Sequence, residues 1–103
     1  MQVLTNTDSS VAGSSALSDQ VEASVTNRLG RFAQQISRVE VHLSDVNSDR
    51  GGENDKRCLM EARLEGRPPT AVSHQASTME LAIDGAARKL ARAIESTIGK
   101  LRS

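Results

Sequence analysis

LSDQVEASVTNRLGRFAQQISRVEVHL, residues 17–43, changes its apolar period partway along. Through Leu17, Val21, Val25, Leu29, Phe32 and Ile36 the apolar side chains recur at steps of four and three, which aligns them along one face of an α-helix. From Arg38 the step becomes two. Val39, Val41 and Leu43 fall on one side of an extended chain, with Arg38, Glu40 and His42 on the other, as in a sheet with one wet face. The spacing predicts a helix over about 15–34 and a strand from about Arg38 to Leu43. Gly30 weakens the last turns of that helix by up to about 1 kcal/mol relative to alanine.

Outward from this stretch, Val3 and Leu4 form a short β-compatible opening, and TDSSVAGSS (7–15) reads as a loop. Downstream, SDVNSDRGGENDK (44–56) reads as a solvated turn around Gly51-Gly52. Arg57 to Glu65 alternates again, placing Cys58, Met60, Ala62 and Leu64 on one face and Glu61, Arg63 and Glu65 on the other. Gly66 to Pro69 ends that strand, because Pro68 and Pro69 cannot donate to a ladder. A further strand over about 70–76 puts Thr70, Val72 and His74 on one side. Ser77-Thr78-Met79-Glu80 has the S-x-x-E spacing of a capping box with Ser77 as the cap. The last helix is therefore expected from about Thr78, with Ile83, Ala87, Leu90, Ile94, Ile98 and Leu101 as its buried stripe.

The order is β-α-β-β-β-α. Its simplest closure is a two-layer α+β sandwich, in which one apolar face of a four-stranded, mostly antiparallel sheet carries both helices. A chain of 103 residues suits a single domain over 1–103 with one core. No stretch approaches the roughly 18 apolar residues of a membrane span, and the start lacks the basic and apolar regions of a secretory signal. A cytoplasmic address and no membrane partner are expected. The one cysteine, Cys58, has no internal disulfide partner, and Phe32 is the one residue among Phe, Tyr and Trp. So few rings argue against a base-stacking platform.

Thirteen basic and thirteen acidic residues cancel, but unevenly along the chain. The strand region 39–66 is acidic on balance. The last helix sets Arg88, Lys89, Arg92, Lys100 and Arg102 against Glu80, Asp84 and Glu95.

Catalytic and metal chemistry find little material. There is no phosphate-cradling glycine loop, H-E-x-x-H, C-x-x-C or G-x-S-x-G. His42 and His74 are the only bases that could serve Cys58, and alternation turns His42 away from it. Cys58 reads as a small buried residue, and His74 as a histidine near the sheet margin. Asp45, Asn47, Asp49 and Glu53 lack the calcium-loop register. No enzyme, metal, cofactor or small-molecule substrate is expected.

The helix cations remain. Lys89, Arg92, Ser96 and Lys100 follow steps of three and four, and a row at that pitch can neutralise successive phosphates without reading sequence. Arg28 and Arg31 extend the patch if the two helices are neighbours, while Arg88 and Glu95 dilute it. The residues alone leave open a solvated face, a phosphate-gripping one, or a protein-interaction module using Glu40, His42, Glu61 and Arg63 on the wet sheet face.

Several strings, taken in order, resemble the ribosome hibernation promoting factor family, which includes protein Y and the sigma-54 modulation proteins. They are Met1-Gln2-Val3, Ile36-Ser37-Arg38-Val39-Glu40-Val41-His42-Leu43, Arg50-Gly51-Gly52, Asp55-Lys56-Arg57-Cys58, and Ala82-Ile83-Asp84-Gly85 leading to Lys89-Leu90-Ala91-Arg92. The resemblance implies a fold like that of double-stranded RNA-binding domains. It also implies a translation inhibitor active in stress and stationary phase, bound to the small ribosomal subunit, its 16S-type rRNA and proteins, and blocking the messenger and transfer RNA channel. Carried over residue by residue, the rRNA contacts are Arg28, Arg31, Lys89, Arg92, Lys100 and Arg102, with Lys56 and Arg57 in a basic string of short members. The resemblance further implies a chain without the C-terminal dimerisation domain of long members, monomeric off the ribosome.

Overall fold

The computed structural model describes residues 1–46 and 55–102, the side chains of residues 100–102 excepted. The strands are β1 (Gln2–Thr7), β2 (Ile36–Asp45), β3 (Lys56–Leu64) and β4 (Thr70–Ala76), and the helices are α1 (Ser15–Leu29) and α2 (Met79–Arg102). The expected order stands. The turn around Gly51-Gly52, with Asn47, Asp49 and Glu53, lies outside the described residues.

The sheet runs β1-β2-β3-β4. β1 lies parallel to β2, and the other two pairings are antiparallel. A parallel pair needs a long crossover, which α1 supplies. Register brings Val39 opposite Ala62, Val41 opposite Met60 and Leu43 opposite Cys58, so the two central strands present one continuous apolar ladder. All six side chains are buried.

α1 is capped by Ser14, whose hydroxyl accepts from the Leu17 N–H at 3.1 Å. It ends at Leu29, five residues short of the helix that the spacing predicts to 34. Gly30 to Phe32 tighten into a 3-10 turn, consistent with the poor helix propensity of glycine. Val21, Val25 and Leu29 are buried, and Phe32 packs half-buried against the same core.

β2 begins at Ile36, two residues before the alternation suggests. A register shift between Ile36 and Arg38 inserts Ser37 as a bulge, and its hydroxyl donates to the Arg63 carbonyl at 3.0 Å. The extra residue lets Ile36 and Val39, three apart, face the core together. Gly66, at φ 71, takes the left-handed conformation that turns the chain out of β3.

The capping box is corrected. Thr78, not Ser77, caps α2, its hydroxyl accepting from the Leu81 N–H at 3.1 Å. Glu80 then falls in the first turn, one position short of the reciprocal place in a box. Along α2, Ile83, Ala87, Leu90 and Ile94 are buried as expected, joined by Ala82, Ala86 and Ala91. These small residues let the helix lie close to both β4 and α1.

Candidate nucleic-acid interface

Two helices on one face of the sheet leave a seam between them. Arg28 closes the last turn of α1, and Arg31 follows on the 3-10 turn. From α2, Arg88, Arg92 and Glu95 project at steps of four and three onto one side of the helix. The groups meet in an open cleft of about 460 Å³ lined by Asn27, Arg28, Arg31, Arg88, Ala91, Arg92 and Glu95.

Carboxylates order most of these cations. Arg28 Nη2 donates to both oxygens of Asp84, at 3.1 and 3.3 Å. Arg88 Nη2 donates to Asp84 Oδ2 at 3.2 Å. Arg31 Nη2 donates to Glu95 Oε2 at 3.1 Å, and its guanidinium lies 4.7 Å from the centre of the Phe32 ring. Desolvation would raise the Asp84 carboxyl, but hydrogen bonds and charge from Arg28 and Arg88 outweigh it and hold the group below its ordinary value. Arg92 is exposed and has no ion pair among the described residues.

The structure thus brings Arg28, Arg31 and Arg92 together and adds Arg88, which the sequence reading treats only as a diluting neighbour. The available signal was its step of four to Arg92 and of seven to Glu95. Lys89 goes elsewhere: its Nζ donates to the Ser73 carbonyl of β4 at 3.0 Å. Lys56 lies at the other end of the sheet, 2.6 Å from Asp45 and 3.4 Å from Asp55. Hydrogen bonding to Asp45, opposed by desolvation, holds its ammonium above the ordinary lysine value. Arg57 stands exposed on the wet sheet face beside His42 and Ser44. The side chains of Lys100 and Arg102 lie outside the described residues.

On that wet face, the charges pair along their own strands, Arg38 with Glu40 at 3.4 Å and Arg63 with Glu61 at 3.9 Å. His42 is exposed there while Cys58 is buried in the core, so the two do not meet. His74 stands opposite Cys58 in the ladder. Burial pushes the Cys58 thiol up to about 12, which suits a small apolar filler and not a thiolate nucleophile. Among the described residues no cluster of three or more His, Cys, Asp or Glu could hold a metal ion, and no helix is long and apolar enough to cross a membrane.

The fold is that of the ribosomal subunit interface proteins. A solved structure of such a protein from Coxiella burnetii is similar with a TM-score of 0.79 at 17% identity, over 96% of this chain and 99% of that one. The N-terminal domain of protein Y from Thermus thermophilus gives 0.75 at 19% identity, over 94% and 99%. The chain itself belongs to the sigma 54 modulation protein / S30EA ribosomal protein family, whose profile matches residues 6–102. No curated protein matches it significantly.

Proposed function

We propose that this protein is a ribosome hibernation factor that binds the small ribosomal subunit through the α1–α2 seam. It blocks the path of messenger and transfer RNA by occupying it. The observation that carries this reading is the cleft holding Arg28, Arg31, Arg88 and Arg92 on a domain of a ribosome-associated family. Guanidinium groups from two helices can grip a phosphodiester backbone in a fork that does not depend on base sequence. With Phe32 half-buried beneath Arg31, the cleft offers charge and hydrogen-bond donors instead of a stacking surface. Such a factor works in the cytoplasm, as a monomer until it docks, and needs neither cofactor nor catalysis.

The test is co-sedimentation with purified small subunits at low and moderate salt, paired with inhibition of translation in vitro. Wild-type protein should travel with the subunits and inhibit. The Arg88→Gln/Arg92→Gln variant should bind about tenfold more weakly at moderate salt, with a shallower salt dependence. Protein that stays at the top of the gradient at both salts overturns the proposal. Binding indifferent to salt and to the double substitution would move the contact to another surface, such as the wet face of the sheet.

A further inference from the structure

The seam between the helices already contains anions. Asp84 sits between Arg28 and Arg88 and accepts from both. Glu95 accepts from Arg31 at the other end. A carboxylate oxygen that accepts from a guanidinium N–H fills the place of a non-bridging phosphate oxygen; Asp84 does so with both oxygens and Glu95 with Oε2. The two carboxylates therefore mark two places where the phosphates of an RNA strand can sit.

We infer that Glu95 is a built-in competitor for one RNA phosphate subsite, formed by Arg31 and Arg92, and that it limits the affinity of this seam for RNA. The inference rests on the ribosome-binding reading above and deepens it. The two carboxylates differ in how readily they yield. Asp84 has a short side chain, is 40% exposed, and is shared by two arginines from different helices. It stays in place and aligns Arg28 with Arg88. Glu95 has a longer side chain, is 63% exposed, and is held by Arg31, itself 62% exposed. Such a pair contributes little stability and exchanges readily with solvent ions. An incoming phosphate takes Arg31 from Glu95, while Arg92, which has no ion pair among the described residues, offers its guanidinium in the same cleft. The cost is parting Arg31 from Glu95 and leaving that carboxylate beside the bound phosphate. Arginine-bearing helices in a chain of zero net formal charge are in this way kept from gripping every passing polyanion.

The protein and its Glu95→Gln variant are titrated with two probes, purified small ribosomal subunits and an RNA duplex of about 16 base pairs, over a range of salt. Glu95→Gln should bind both about threefold tighter at low salt, with a log–log salt slope steeper by up to about 0.9. Glu65→Gln, which removes the same charge from the exposed turn that follows β3, should leave both affinities unchanged. The gain should disappear when Arg31→Gln is combined with Glu95→Gln, because the freed donor is then missing. The inference is overturned if Glu95→Gln binds no tighter than Glu65→Gln on either probe; if wild-type protein still binds subunits, the proposed function stands without it. Tightening on the duplex with no subunit binding by any variant supports the phosphate subsite and sinks the ribosome reading instead. Tightening equally large without Arg31 makes the effect one of overall charge and overturns the subsite.

Discussion

Gly85 is where the smallest side chain on α2 has the least room to grow. A Cβ there would lie 2.1 Å from Cδ2 and 2.4 Å from Nε2 of His74, so the imidazole occupies the space beside the helix backbone. Gly85→Ala gains helix propensity of about 1 kcal/mol but forces the ring or the helix aside, for a cost of about 1–3 kcal/mol. Urea unfolding should show a net loss for Gly85→Ala and a smaller effect of the same substitution in a His74→Ala background. An equal effect in both backgrounds would mean that the ring is not what excludes the methyl. The glycine of the A-I-D-G string was visible in the sequence, but its reason was not, because His74 is on a different element. The same limit governs the cations. Arg88 and Lys89 are adjacent, about 100° apart around the helix, and spacing alone could not tell which looks toward α1 and which toward β4.

At the scale of elements, boundaries moved while identities held. The periods of residues 17–43 and 57–76 were enough to name every strand and α-helix they contain, though not the 3-10 turn at Gly30 to Phe32, because burial of one face repeats its signal over several turns or pairs. Ends are decided by single residues. The S-x-x-E spacing points to Ser77 as the cap, and only the backbone entering α2 shows that Thr78 takes that place. Thr78→Ala should therefore cost about 1 kcal/mol, and Ser77→Ala should stay within about 0.5 kcal/mol, as read by chemical denaturation. The reverse order would restore the capping-box reading. Ile36 likewise fitted the helix stripe by spacing, yet belongs to β2, where the bulge at Ser37 turns it inward.

At the scale of the whole molecule, Asp84 ties α1 to α2 and lets acid report on that tie. Its folded value is depressed, so its contribution is present above the unfolded value near pH 4 and is lost as pH falls through the folded one. Asp84→Asn should be less stable than wild type near neutral pH, and the gap should close on acidification below about pH 4. A gap that is constant with pH would assign the loss to packing. By itself the sequence determined the element order, the apolar face of every element but β1 and so the two-layer sandwich, because periodicity is a local record of which side is buried. It also placed Arg28, Arg31 and Arg92 on helices able to share one surface. Only the tertiary structure decided that Arg88 lines their cleft, that Lys89 turns to β4, and that Asp84 pairs with Arg28 and Arg88 while Glu95 pairs with Arg31. Those outcomes depend on the angle and offset at which two helices meet, which residues far apart in the chain set together.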